Sequence, residues 1–157
     1  MKIEDMDMPK QTFAFAAIHM LSNRLQVVGD KIDPTISSKQ WFLLATISKF
    51  TDKPPNIGDI ADVLCVSRQN IKKMANILEQ HGFLKMEKDK NDLRSIQLFL
   101  TDQCSDYFKG RDKLEREYML EIFDGVDDEL LAVFCNGLSK LIKNTDKILE
   151  DSTNAER

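Results

Sequence analysis

Between Ile57 and Leu100 the apolar period changes once, and that change restricts the fold more than any other feature of the chain. Ile57, Ile60, Ala61 and Leu64 recur at helical spacing over one short segment. After Cys65 and Val66, Ser67 is placed to cap a second helix that runs to about His81, with Ile71, Met74, Ala75 and Leu78 as its apolar stripe. Gly82 is placed as the glycine just past that helix's end. The period then becomes two. In Phe83–Lys88, Leu84 and Met86 alternate with Lys85 and Glu87; in Ser95–Leu100, Ile96, Leu98 and Leu100 alternate with Gln97 and Phe99. The polar stretch Asp89–Arg94 joins the two runs, which predicts a β-hairpin.

Helical patterns flank this block. The first spans Gln11 to about Asp30, with Phe13, Ala17, Met20, Val27 and Val28 near helical spacing and Gly29 marking the end. Ser37 and Gln40 fit a capping box that opens a second helix, whose apolar residues are Trp41, Phe42, Leu43, Leu44 and Ile47. Pro54 and Pro55 bar its continuation. Thr101 is placed to cap a long helix carrying Phe108, Leu114, Tyr118 and Ile122, which ends at Asp124-Gly125. Asp127 caps the last helix, where Leu131, Phe134, Leu138, Leu141 and Ile148 form a seam suited to another helix. The polar tail 150–157 is expected to fray. The predicted fold is mainly α with a small β-hairpin: a winged helix-turn-helix plus a helical dimerisation region. By role it divides into an N-terminal dimerisation helix (1–32), the winged helix-turn-helix (33–101) and C-terminal dimerisation helices (102–157).

An interface for DNA follows from the residue types. A helix that enters the major groove must be buried on one side and polar on the other. Opposite the stripe of the second short helix stand Gln69, Lys72, Lys73 and Asn76, with Ser67, Arg68 and Asn70 in or before its first turn. Arginine pairs with guanine, and Gln or Asn with adenine, while the lysines suit phosphates. On the hairpin, Lys90 and Arg94 form a second contact, Arg94 in the minor groove, with Asp92 bracing Arg94 through a charge-assisted hydrogen bond. The formal net charge is −4, yet residues 66–95 carry +3 and the remainder −7. A basic face on an acidic body still attracts phosphate.

Several classes are excluded or disfavoured by pattern. No Gly-rich phosphate loop, H-E-x-x-H motif or nucleophile elbow is present, so no enzyme activity and no cofactor are expected. Cys65, Cys104 and Cys135 are too dispersed for a zinc site or a disulfide framework. No stretch reaches the roughly 20 apolar residues of a membrane span, and Met1 to Lys10 has no apolar signal core, which makes the cytoplasm the expected location.

The run Ile57-Gly58-Asp59-Ile60-Ala61-Asp62-Val63-Leu64, then Val66-Ser67-Arg68-Gln69-Asn70-Ile71, then Leu78-Glu79-Gln80-His81-Gly82-Phe83-Leu84 resembles the MarR family of bacterial regulators. The stretch Asp89-Lys90-Asn91-Asp92-Leu93-Arg94, leading to Leu98-Phe99-Leu100-Thr101, is similar to that family's wing. The resemblance implies a homodimer with interdigitating terminal helices on a two-fold DNA operator. It also implies, often, release by a small phenolic or lipophilic ligand or by oxidation. Carried onto this chain, it assigns Ser67, Arg68, Gln69, Asn70 and Lys73 to the major groove and Arg94 to the minor groove. Two positions depart from the family. Lys90 and Asn91 stand where a further arginine is common, and Cys65 where a glycine is common.

The switch elements have plainer explanations beside them. Cys65 lies near a helix N-terminus, where a thiol is activated, but a small buried apolar residue is the expectation, as for Cys104 and Cys135. Phe13, His19, Met20, Trp41 and Tyr107 are candidate ligand-pocket residues, each weighed against a role in core or interface, with His19 as an interior polar group. The alternatives to a homodimeric repressor are a winged-helix protein-interaction module and a thiol-based redox-switch regulator.

Overall fold

The computed structural model describes residues 6–90 and 92–155. Six helices and one hairpin follow in the order α1 (Lys10–Ile32), α2 (Ser38–Ile47), α3 (Ile57–Leu64), α4 (Arg68–Gln80), β1 (Leu84–Lys88), β2 (Ile96–Leu100), α5 (Asp102–Ile122) and α6 (Asp128–Ala155). Two compact units divide the chain, residues 1–109 and 110–157, the boundary falling within α5. Asn91 of the wing lies outside the described residues.

The core belongs to the first unit. Leu43 and Leu44 of α2, Ile60 of α3, Ile71, Ala75 and Leu78 of α4 and Leu98 of β2 are fully buried, with Leu84, Phe83 and Ile36 around them. The predicted stripe of α4 is therefore the face that packs, with Met74 half-buried at its margin. Strand register repeats the alternation seen in the sequence: Leu84 pairs with Leu100 and Met86 with Leu98. The second edge of β2 is also occupied, because Leu98 N–H donates to the Pro55 carbonyl at 2.9 Å and Asn56 bridges Gln97. The two prolines that end α2 thus feed a short extended segment onto the sheet.

Local signals account for most boundaries. Ser37 and Gln40 form the reciprocal capping box that opens α2. An equivalent box, unremarked in the sequence, opens α3: Asn56 accepts from Asp59 N–H, and Asp59 accepts from Asn56 N–H. Ser67 caps α4 through Asn70 N–H. Thr101 accepts from Cys104 N–H at 3.1 Å, and Asp127 from Leu130 N–H at 2.8 Å.

Gly82, at φ 79°, closes α4 in a Schellman pair, with Phe83 N–H on the Leu78 carbonyl and Gly82 N–H on that of Glu79. The same pair closes α3, with Val66 N–H on the Ala61 carbonyl and Cys65 N–H on that of Asp62. There the left-handed position, φ 51° and ψ 42°, holds Cys65 in place of a glycine.

Three expectations are corrected. Gly29 does not end α1, which continues to Ile32. It permits a close approach: a Cβ there would lie 2.2 Å from Ser38 Oγ, which donates to the Gln26 carbonyl. Phe42 is 56% exposed, because Leu43, Leu44, Thr46 and Ile47 take the core-facing arc of α2. The polar tail stays helical through Ala155. Several apolar residues of α1, α5 and α6 lie on the surface, which a seam suited to another helix allows. Phe13, Val27 and Val28 of α1 and Phe134, Leu141 and Ile148 of α6 are exposed, as is Leu114 of α5.

A left-handed cysteine carries a cost of about 1–2 kcal/mol. Cys65→Gly removes it, and the greater freedom of the unfolded chain returns part of the gain. We expect the urea midpoint to rise for Cys65→Gly and to fall for Cys65→Val, since a branched Cβ tolerates positive φ least. Equal midpoints for both variants would mean that the turn relaxes without strain.

Candidate nucleic-acid interface

With Ile71, Ala75 and Leu78 turned into the core, α4 presents the rest of its circumference outward. Ser67, Gln69, Asn70, Lys72, Lys73 and Asn76 line one open concavity on that face, and all six are exposed. These are six of the seven residues expected on the helix. The seventh, Arg68, is exposed but lies elsewhere, its Nε and Nη2 each 3.5 Å from where a Cβ on Gly58 would stand.

Two contacts fix this face relative to the hairpin. The Glu79 carboxylate accepts Met86 N–H at 2.8 Å, which satisfies a donor on the free edge of β1. The Thr101 hydroxyl donates to the Gly82 carbonyl at 2.6 Å. Glu79 is thereby committed to structure, although it lies within the basic window.

The wing tip is held from inside. Asp89 Oδ1 accepts Asp92 N–H at 3.3 Å, Asp89 Oδ2 accepts Gln97 Nε2–H at 2.7 Å, and Asp89 N–H donates to the Ser95 carbonyl. Asp92 does brace Arg94, but through the backbone: its carboxylate accepts Arg94 N–H at 3.0 Å, an Asx turn. Among the described residues the Arg94 guanidinium forms no ion pair, and Lys88, Lys90 and Arg94 are all exposed. Lys85 differs, since its ammonium lies 2.5 Å from Glu87. The hydrogen bond and charge of Glu87 hold the ammonium above the ordinary lysine range, and Lys85 holds the Glu87 carboxyl below its own. Among the described residues, the cations of the window without an ion pair are those of α4 and the wing, although Lys90 also lies in the field of Glu87 and helps to lower its carboxyl.

The other candidates distribute as follows. Trp41 and Tyr107 are half-buried against the core, and Met20 is half-buried on α1. Tyr107 donates its hydroxyl proton to Asp33 and stacks at a tilt on Phe83, 4.8 Å between centroids. Phe13 and His19 are exposed, so His19 is no interior polar group; it meets Phe15 edge-on. Among the described residues, no group of His, Cys, Asp and Glu is placed to hold a metal ion. No helix among them is long and apolar enough to cross a membrane.

The thiols separate by burial. Cys104 is buried, as expected, and desolvation pushes its thiol up to about 11. Cys65 and Cys135 are exposed, contrary to expectation. Cys65 is turned out by its left-handed backbone, and Cys135 lies on a helix that buries none of its residues within the chain. Alkylation at about pH 8 is expected to modify Cys65 and spare Cys104 until the protein unfolds. Equal labelling of both by mass spectrometry of digests would contradict the buried placement of Cys104.

Comparison with known proteins follows this geometry. Residues 36–96 match the MarR family. The transcriptional activatory protein BadR of Rhodopseudomonas palustris is 28% identical over 90 residues, which are 55% of this chain and 51% of that protein. The chain thus spans about half the length of that curated relative. Among solved structures, a MarR transcriptional regulator from Methanosarcina mazei Go1 is 25% identical with a TM-score of 0.76, covering 87% of this chain and 99% of that one. The S. aureus MepR–DNA complex shares the fold at 16% identity and a TM-score of 0.73, over 82% of this chain and 96% of its own.

Proposed function

We propose that this chain, which carries a MarR-family region over residues 36–96, is a sequence-specific DNA-binding transcriptional regulator that works as a homodimer. The observation that carries the proposal is the open polar concavity on α4 beside a wing tip with exposed cations. Each subunit places α4 in one of two successive major grooves of a pseudo-palindrome, with half-sites one turn apart, ~34–36 Å. Gln69, Asn70 and Asn76 read base edges, Lys72 and Lys73 hold phosphates, and Ser67 contributes its hydroxyl at the mouth of the helix. Lys90 and Arg94 anchor the wing, Arg94 in the minor groove where A·T tracts concentrate negative potential. That MepR was captured on DNA in the same fold supports this use of the motif.

Residues 33–101 then form the DNA-binding part, and 1–32 with 102–157 the dimerising part. Support for the second role is the apolar surface left open: Phe15 of α1 is 69% exposed and Val133 of α6 67%. Repression by occlusion of a promoter is the simplest use of such a dimer, and release by a small lipophilic or phenolic ligand belongs to the same proposal. Activation is the second form of it, favoured by the naming of BadR as an activatory protein.

The decisive experiment is selection of bound fragments from random DNA at near-physiological salt. A recovered two-fold motif with half-sites one turn apart is expected. Binding without any motif, lost at modest salt, would favour a protein partner instead. Arg94→Ala is expected to weaken binding and to remove A·T preference at the flanks; unchanged flanks would remove Arg94 from the minor groove. Gln69→Ala is expected to relax one base position by roughly 1–3 kcal/mol. Sedimentation is expected to give a dimer for the native chain and a smaller species for Leu141→Asp; a native monomer would contradict the dimeric reading.

A further inference from the structure

The outward cations of the helix-turn-helix fall into two groups. Lys72 and Lys73 line the concavity on α4 with Gln69, Asn70 and Asn76. Arg68 does not. Its guanidinium lies over the first turn of α3, with Nε and Nη2 each 3.5 Å from the absent Cβ of Gly58.

The cause is local. Arg68 is the first helical residue of α4, and a side chain on a helix leans toward the turn before its own Cα. The chain before Arg68 is the tight turn from α3, so a long side chain there runs back across α3. A side chain on Gly58 would only touch the guanidinium at ordinary van der Waals distance, so the seat itself does not depend on glycine. A Cβ at Gly58 would also stand 2.9 Å from Asn56 Oδ1, the atom that caps α3. Among the described residues no carboxylate pairs with Arg68, so its charge remains available.

In a helix-turn-helix the first helix crosses the sugar–phosphate strand while the second enters the groove. A guanidinium lying on the first helix therefore meets phosphate oxygens rather than base edges, and its planar fork matches them in a bidentate pair. We propose that Arg68, seated over Gly58, is a backbone clamp that sets the register of α4 in the groove and reads no base. The inference rests on the DNA-binding role proposed above and divides that role: Gln69, Asn70 and Asn76 specify, and Arg68 positions.

The test is fragment selection together with affinity measured against salt, for the native chain, Arg68→Ala, Arg68→Lys and Gln69→Ala. Arg68→Ala is expected to lose roughly tenfold in affinity on every sequence, from one charge-assisted contact. Its salt slope falls by about one, and its recovered motif is unchanged. Arg68→Lys regains part of the loss, and Gln69→Ala changes the motif.

A base position that loses its preference in Arg68→Ala would overturn the clamp, as would unchanged affinity. If the native chain recovers no motif, the regulator proposal fails and the clamp falls with it. If the native chain recovers one, only the division of labour is at stake.

Discussion

Gly82 adopts φ 79°, its carbonyl accepts the Thr101 hydroxyl, and Phe83, one residue on, pairs through its own carbonyl with Thr101 N–H. Gln103 closes the same corner by donating to the His81 carbonyl. The end of α4, the start of β1, the end of β2 and the start of α5 thus meet within a few residues. The angle between the recognition helix and the wing is set here, because both leave this corner with their backbones already hydrogen-bonded. A side chain on Gly82 would meet both obstacles at once: a left-handed backbone and Gln103 Oε1, 2.5 Å from its Cβ. The outward faces of α4 and of the wing are consequently aimed by one rigid element, and the chemistry on them acts as a single surface.

That surface works against the charge of the molecule as a whole. A chain of formal net charge −4 gains little from long-range attraction to a polyanion. The gain must come from cations that are locally unopposed. Acidic residues in the basic window are used in ways that leave such cations free. Glu79 is turned to the edge of β1, Asp89 to the interior of the wing, and Asp92 to a backbone N–H. Among the described residues Glu87 forms an ion pair with Lys85 on the strand, and more weakly it faces Lys90 of the wing. Because phosphate contacts are screened by salt, a surface with few free cations binds firmly only where base contacts add to it. In the proposed DNA-binding role, an acidic body therefore favours specific over non-specific binding.

Much of this was legible in the sequence, where local rules act alone. The stripe of α4, the hairpin register, the Ser37–Gln40 box and the Gly82 terminus each depend on a few neighbouring residues, and each appears where its pattern stands. What pattern could not give is what depends on the third dimension. Gly29 looks like a helix end, yet its purpose is contact with Ser38, nine residues on. Pro55 and Asn56 look like a break, yet they line the second edge of β2, more than forty residues away. The Asn56–Asp59 box stands in the sequence as Asn-x-x-Asp, whereas the usual box ends in Glu or Gln. Arg68 shows the limit most clearly, since its type suits guanine and only the direction of its side chain, back toward Gly58, separates it from the concavity on α4.

The helices with no buried residue follow a different logic. α1 and α6 run for 23 and 28 residues, and among the described residues neither buries a side chain. Helices of that length hold together in water mainly by packing an apolar face, not by propensity alone. Leu130, Val133, Leu141, Ile142 and Leu149 on α6 would make an apolar patch of a kind monomers seldom expose. In the proposed dimer a second copy covers it, and a two-fold interface uses the same patch on both chains. The distance between the two α4 helices is then decided by residues that never touch DNA. Half-site spacing becomes a property of apolar packing, and any ligand or substitution that shifts that packing acts on DNA affinity without approaching the groove.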